Sequence, residues 1–272
     1  MNQFDYSSKI AIGQYQQTGS ILHRFDPRVK ISGFFFLIMA LTLSRSLIGI
    51  LFGLAFAIIG IIIAQIPFRM ISRSILLPMP FLLIIAIIQM LIYPDRGGSV
   101  LLTIGSFQLS ELAVLSAGLL ILRFIALILT ISLMSATVSS SEMIHGLQQL
   151  LKPLNKLGIH TMDFVMIIQI ALRFLPLLAI TAERIAKAQA SKGADWGTKN
   201  RSIFKKIKQI IPLIIPLFTI SLRRAESLAL AMDARAYGYQ AERTSMTEYH
   251  FRTKDAYFGS VCLIAAALII LL

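Results

Sequence analysis

The segment "AMDARAYGYQ", Ala231–Gln240, fits neither a loop nor a simple membrane span. Its alanines favour a helix, whereas Asp233 and Arg235 would be costly at the centre of a span. Gly238 belongs to the residue type that most often follows the end of a helix. The segment therefore predicts an alanine-rich helix end that presents one arginine between two alanines.

A second helix end in the chain resembles the first. In "AQASKGADW", residues 188–196, a cation again stands between two small residues, and Gly193 suits a helix C-terminus. One basic residue near a helix end is commonplace, because it suits the helix dipole. Two matched ends favour a shared role in contacting a partner, so the candidate site residues are Ser191, Lys192, Gly193, Ala234, Arg235 and Ala236.

The composition is that of an integral membrane protein. Of 272 residues, 56% are hydrophobic and 14% are charged, whereas soluble domains average about 25% charged residues. The net charge of +13 would indicate nucleic-acid binding in a soluble protein. In a membrane protein it instead favours basic cytoplasmic loops that face anionic lipid, so no nucleic-acid partner is expected.

Apolar runs predict an all-α fold with about five transmembrane helices. The predicted organisation is a cytoplasmic N-terminal segment, then transmembrane helices 1–4, then cytoplasmic coupling helices, then a C-terminal transmembrane helix, over residues 1–30, 31–139, 140–255 and 256–272. The N-terminal segment lacks the apolar core of a signal peptide, so the first span is expected to act as its own insertion signal.

Several local features of the spans can be predicted. Asp26 and Pro27 favour a helix start. The first uncharged run is short, so Lys30 and Arg45 are expected to snorkel towards the two membrane surfaces. Arg123, inside the fourth span, requires a backbone carbonyl, Glu111 or the outer surface as its polar surroundings.

The distribution of charge predicts the orientation. Cations concentrate before the first span and between the second and third spans, where Arg69 and Arg73 stand in a predicted loop over 67–73. The opposite connections hold only Arg45 and Arg96. The positive-inside rule places the N-terminus and the 67–73 loop in the cytoplasm of a multi-pass protein of the cell membrane.

Two long helices are predicted within 140–255. The first is interrupted by Arg173 and Pro176, and the second has an apolar centre, 210–222, that is too short to cross a bilayer. Both are therefore expected to lie at the inner membrane surface with one face buried. The alternative for the first helix is a sixth span over 163–182.

These features resemble the transmembrane component of energy-coupling factor (ECF) transporters, the EcfT family, together with the CbiQ proteins of cobalt uptake. The resemblance covers nearly the whole chain and is carried by "GQYQQTGSILHRFDPRVK", residues 13–30, and by the two cation triplets. Lys192 departs from the family pattern, which has arginine there. Lysine keeps the charge but not the planar bidentate fork.

The resemblance implies a subunit of an ATP-driven importer of a vitamin or a metal ion. Two ATP-binding-cassette subunits would each receive one triplet, and a separate membrane subunit, the S component, would capture the substrate and pack against the same helices. Motion of the ATPases, powered by ATP and Mg²⁺ bound to them, would pass through this chain to the S component.

The residues predict no catalysis by the chain itself. No Gly-rich Lys-Ser/Thr phosphate loop is present, and the histidines, His23, His145, His160 and His250, lack metal-ligand spacing. No cofactor or metal is therefore expected on this chain. The alternatives are a secondary carrier, for which Arg123 is the one candidate and no internal repeat is evident, and a membrane-bound enzyme, for which no catalytic set is evident.

Overall fold

The computed structural model describes residues 19–92, 100–104, 107–153, 161–193, 203–239 and 251–272. A one-turn 3-10 helix, Ile21–Arg24, precedes the first α-helix. The α-helices are α1 Pro27–Leu43, α2 Leu47–Ala64, α3 Phe68–Leu76, α4 Met79–Ile92, α5 Glu111–Thr137, α6 Ser140–Leu151, α7 Thr161–Ser191, α8 Ile203–Asp233 and α9 Thr253–Leu271.

The chain divides into two units. The bundle unit contains α1 to α6 and α9, and the long-helix unit contains α7 and α8. The bundle unit is built around α1, which packs against α5, α6 and α9, while α2 packs against α5 and α9. Its core is apolar and includes Phe34, Leu37, Leu41, Leu133 and Ile269. The predicted all-α polytopic fold is confirmed.

A short β-hairpin joins α4 to α5, and the sequence analysis did not predict it. Strands β1, Val100–Ile104, and β2, Phe107–Ser110, pair antiparallel. The segment "YPDRGGS", residues 93–99, precedes β1, and its Pro, Asp and Gly content predicts a turn, but it lies outside the described residues. The hairpin brings the chain to Ser110, the N-cap of α5.

The predicted start of the first span is confirmed. Asp26 is the N-cap of α1, its Oδ1 accepts a hydrogen bond from the Arg28 backbone N–H at 2.9 Å, and Pro27 occupies the first helical position. The Asp26 backbone N–H donates in turn to Asp255 Oδ1 at 2.9 Å. Asp255 Oδ2 also accepts from the Arg252 backbone N–H. One buried carboxylate therefore connects the starts of α1 and α9.

The expectation that Lys30 snorkels to the membrane surface is wrong. Its side chain is 1% exposed, and its Nζ donates to Glu142 Oε2 at 3.0 Å. The same carboxylate oxygen accepts from the Ser139 backbone N–H, and Ser139 Oγ accepts from the Glu142 N–H, which forms a capping box at the start of α6. Lys30 stays inside because α6 brings an anion to it.

The polar partner of Arg123 is a backbone carbonyl, one of the three surroundings that the sequence analysis considered. Arg123 Nη2 donates to the Ser44 carbonyl oxygen at 2.6 Å. Ser44 is the C-cap of α1, where carbonyl groups lack partners within the helix. The arginine of α5 therefore caps α1 from the side.

The loop predicted over 67–73 is wrong, because α3 begins at Phe68 and includes both of its arginines. Arg69 and Arg73 are four residues apart and so share a face of α3, while Ile71 is buried. Helix α3 is therefore amphipathic, with a charged face and a buried face. A search of the sequence for uncharged runs does not detect a helix of this type. Helix α4 follows at an angle of 42° to α3, with Pro78 between them.

Within the described residues, four helices are long and apolar enough to cross a membrane: α2, α5, α9 and the part of α7 from Asp163. The bent pair of α3 and α4 also qualifies when it is taken as one broken span. Helix α1, at 17 residues, lies at the lower limit of about 17–25 residues for a span. Because α7 qualifies, its length and composition fit the sixth-span alternative, and its position at the membrane surface stays a prediction.

Helix α6 lies in the bundle unit, although the sequence analysis placed the coupling region from residue 140. It packs against α1, and Gly146 sits against Pro27 and Ile31, where a Cβ atom would have no room. The amino-acid sequence shows α6 only as a short amphipathic helix, without indicating which helix it contacts.

Candidate functional site

The first triplet lies at the end of α7. Helix α7 ends at Ser191, and the Lys192 backbone N–H still donates to carbonyl oxygens of the last turn, those of Ala188 and Gln189. Gly193 has φ +83° and donates its N–H to the Ala190 carbonyl oxygen at 3.0 Å. The predicted glycine helix end is confirmed, since Gly193 is left-handed and only Lys192 stands between it and the last residue of the helix.

The second triplet closes α8 with a Schellman motif. The Tyr237 N–H donates to the Met232 carbonyl oxygen at 3.0 Å, and the Ala236 N–H donates to the Asp233 carbonyl oxygen at 2.8 Å. The left-handed residue is Ala236, with φ +54°. Alanine in this conformation costs about 1–2 kcal/mol, so the backbone of the second triplet is strained. The sequence analysis expected Gly238 to mark this end, and Gly238 is also left-handed, at φ +93°, but it comes two residues after Ala236.

The two triplets share one backbone register. In each, the cation is the last residue before a left-handed residue, and that left-handed residue donates its N–H to a carbonyl oxygen three positions earlier. The amino-acid sequence showed matched residue types, and the structure adds matched conformations. The side chains of Lys192 and Arg235 therefore leave equivalent points of two helix ends.

Both cations are accessible. All six triplet residues are exposed, and within the described part of the chain neither Lys192 nor Arg235 forms an ion pair. Tyr237 and Tyr239 follow Arg235, and Tyr239 is 91% exposed. Arginine and tyrosine, as found at the second triplet, are residues that interfaces favour as anchors.

An ion pair along α7 precedes the first triplet. Lys187 Nζ donates to Glu183 Oε1 at 2.6 Å, and the two residues are four positions apart, a spacing that predicts such a pair. Such a pair stabilises a helix by about 0.2–0.5 kcal/mol. It reinforces the helix immediately before Lys192.

An apolar groove of about 300 Å³ lies between α7 and α8. Helix α7 supplies large residues to it, and α8 supplies large residues together with three small ones at helical spacing, Ser221, Ala225 and Ala229. These three small residues form a narrow face of α8 that lines this groove. Arg224 also lines it, and its Nη1 atom is buried without a hydrogen-bond partner in the described part of the chain.

The described residues contain no group of three His, Cys, Asp or Glu side chains that could hold a metal ion. His23 Nδ1 lies 2.7 Å from Ser20 Oγ, beside the first helix. His160 and His250 lie outside the described residues. The absence of a cofactor on this chain stays a prediction.

The chain is similar to proteins of one known family over most of its length. The family model of CbiQ, described as a cobalt transport protein, matches residues 18–246. Proteins described as the energy-coupling factor transporter transmembrane protein EcfT match nearly the whole chain. The chain belongs to the CbiQ/EcfT family. It is a multi-pass membrane protein of the kind that forms the transmembrane component of ECF transporters.

Three EcfT relatives show the extent of the match. The Acidaminococcus fermentans protein is 37% identical over 93% of both chains. The Clostridium kluyveri protein is 35% identical over 93% of this chain and 92% of its own. The Brevibacillus brevis protein is 35% identical over 97% of both. The chain thus spans nearly the full length of these EcfT proteins, as the resemblance implied.

Sequence reasoning missed two features of the site. The left-handed Ala236 was not predicted, because alanine rarely adopts that conformation. Arg224 was not singled out, since Arg223 stands beside it and only helix packing distinguishes the two. For Ala236, the signal was present in the comparison of the triplets, because it stands where the first triplet has glycine.

Proposed function

We propose that this EcfT-family chain couples two ATPase subunits to a substrate-binding membrane subunit, the S component, for uptake of a vitamin or a metal ion. The observation that carries the proposal is the shared backbone register of Lys192 and Arg235. Two equivalent cationic helix ends suit two equivalent acceptor grooves, as a pair of ABC ATPases would offer. Helix α8, which separates the triplets in sequence, has 31 residues and so is about 45 Å long.

In this proposal the chain is mechanical and not an enzyme. The ATPases bind ATP and Mg²⁺, and their closure displaces the ends of α7 and α8. The N-terminus and the long helices face the cytoplasm, where the ATPases are found. The exposed Arg173 in the middle of α7 supports a position at the membrane surface, because a span would place this cation in hydrocarbon.

We assign the groove between α7 and α8 to the S component. Small residues on α8 let a partner helix approach closely, and the unpartnered Arg224 Nη1 requires an acceptor, which a partner carbonyl or carboxylate would supply. The triplets and the groove would then contact different subunits from the same two helices.

The docking role predicts a large effect of Arg235→Glu. Reversing a charge that pairs across an interface costs about 2 kcal/mol or more, which is about a 30-fold loss of affinity. Co-purification of the ATPases in detergent and uptake in cells should both fall. The matched control is Arg184→Glu, the same charge reversal at an exposed position on α7, and it should retain both. Unchanged uptake by the Arg235 variant would refute the docking role, and uptake by the chain alone in liposomes would favour a secondary carrier.

The assignment of the groove predicts selective loss of the S component. In Ala229→Trp the indole would fill the groove, so the S component should no longer co-purify while both ATPases remain. Leu230→Trp is the control, since Leu230 is exposed and points about 100° away around α8. Retention of the S component by the Ala229 variant would place its binding site elsewhere.

A further inference from the structure

A second apolar groove lies wholly within the bundle unit, apart from the triplets. Its volume is about 360 Å³, near the lower end of the roughly 300–1,000 Å³ typical of ligand sites. Its floor consists of buried side chains from the 3-10 helix, α1, α5 and α9, namely Leu22, Phe34, Leu133 and Cys262. The stacked rings of Phe25 and Phe258, with centroids 4.7 Å apart, close one side.

The rim of this groove is apolar and open. Ile59 on α2 is 56% exposed and Tyr257 on α9 is 74% exposed, and Ile21 and Ile63 are exposed beside them. Helices α2 and α9 both qualify as membrane spans. The opening between these two helices therefore borders lipid. A lipid-facing apolar groove is expected to be filled by an apolar group from the membrane.

The shape and surroundings of the groove select the occupant. Its opening lies between the spans α2 and α9, so the hydrocarbon chains of the bilayer lie next to it. A hydrocarbon chain is one carbon wide and needs only a narrow channel. Phe56 and Ile63 both line the groove, and the α2 segment between them is about 10 Å long, which suits part of one acyl chain.

The end of the groove near the helix starts is positively charged. Arg24 directly precedes the lining residue Phe25, and Lys254 lies one turn before Tyr257 and Phe258 on α9; both cations are exposed, as is Arg252. The acids at this end, Asp26 and Asp255, are buried and accept backbone N–H groups. An anionic group at this end of the groove would therefore contact cations, and neither Asp26 nor Asp255 exposes a carboxylate that would repel it.

We propose that this groove binds one acyl chain of an anionic phospholipid from the surrounding bilayer. The chain packs on Leu22, Phe34 and Cys262. The phosphate lies among Arg24, Arg252 and Lys254, and the Tyr257 ring borders the headgroup, a depth that tyrosine favours. The lipid thereby joins α2 to the starts of α1 and α9. This binding does not depend on the proposed coupling function.

A photoreactive lipid tests the proposal. The full-length chain, co-expressed with its transporter partners, is reconstituted in nanodiscs that contain phosphatidylglycerol with a diazirine on one acyl chain, and labelled peptides are mapped by mass spectrometry. Label should concentrate on the segments 56–63 and 257–262. Ile59→Trp and Ile63→Trp, two rim substitutions that leave the core intact, should each reduce that label several-fold. Ile58→Trp, about 100° away on α2, should not.

Three outcomes would overturn the proposal. The first is label spread evenly over all lipid-facing segments and unchanged in the tryptophan variants, which would indicate bulk lipid. The second is cross-linking of these groove residues to a protein partner in place of lipid. The third is a headgroup preference that does not depend on the cations. The proposal expects that replacing Arg24, Arg252 and Lys254 by Gln lowers the preference for phosphatidylglycerol over phosphatidylcholine about five-fold for each cation, and that Arg45→Gln leaves this preference unchanged. Equal labelling by both lipids in the unsubstituted chain would refute the anionic selectivity.

Discussion

In the bundle unit, Lys30 is almost fully buried and its ammonium donates to Glu142, whereas in the long-helix unit Lys192 and Arg235 are exposed and form no ion pair within the described residues. Glu142 pairs with the buried Lys30 from inside the bundle, and the Ser44 carbonyl oxygen accepts a hydrogen bond from Nη2 of the half-buried Arg123. The helix ends keep their cations accessible. The difference separates the charges that hold the bundle together from those that stay exposed at the helix ends.

The largest effect on stability is expected from removing the internal anion. Glu142→Ala leaves Lys30 buried without its counter-ion, which costs about 3–5 kcal/mol, and it also breaks the capping box of α6. Thermal unfolding in detergent should show a lower midpoint than for the unsubstituted chain. The double variant Lys30→Met/Glu142→Ala should recover a large part of the loss, since no unpaired charge remains. Equal destabilisation in the single and double variants would contradict the importance of the ion pair.

A smaller effect is expected at the strained residue of the second triplet. Ala236→Gly should stabilise the Schellman motif by about 1 kcal/mol, because glycine adopts φ +54° without a steric penalty. Ala236→Val should destabilise it, since branched residues disfavour positive φ. Amide hydrogen exchange at Tyr237, whose N–H closes the motif, measures both changes. Equal exchange in the two variants would mean that the strain at Ala236 has no energetic consequence. The Val variant also shows whether uptake depends on the direction in which Arg235 leaves the helix.

The smallest effect is expected from Lys192→Arg. The charge is kept and the exposed position accommodates the larger head group, so uptake should stay close to that of the unsubstituted chain, with equal or tighter ATPase binding. Lys192→Met is the control and should weaken binding, because it removes the charge at the same length. Loss of the complex in the Arg variant would show that Lys192 has a different role from Arg235.

Local features of the chain could be predicted from its sequence. The Asp26–Pro27 helix start, the helix end at Gly193 and the Glu183–Lys187 pair involve neighbours within four residues, so residue type and spacing determine them. The six triplet residues were proposed on the same local grounds. Their roles as docking residues stay predictions, but the structure gives them a common conformation.

Features that depend on distant partners could not be predicted. Lys30 and Glu142 are 112 positions apart, and Asp26 and Asp255 are 229 apart. A short apolar run next to a lysine predicts snorkelling unless a packed helix brings a carboxylate to it, and the sequence does not say where α6 lies. The apolar groove within the bundle unit could not be predicted for the same reason, because four separate segments of the chain form its floor.

The backbone hydrogen bonds that end α8 also fix the rotational phase of Arg235. Each residue of a helix turns the chain by about 100° and advances it by about 1.5 Å, so adding one residue near Leu228 would swing the guanidinium to another side of the rod while leaving it charged and exposed. Adding a full turn would nearly restore its direction. The proposed docking of Arg235 therefore constrains the chain length between the groove and the triplet in steps of a helical turn, independently of which residues fill it.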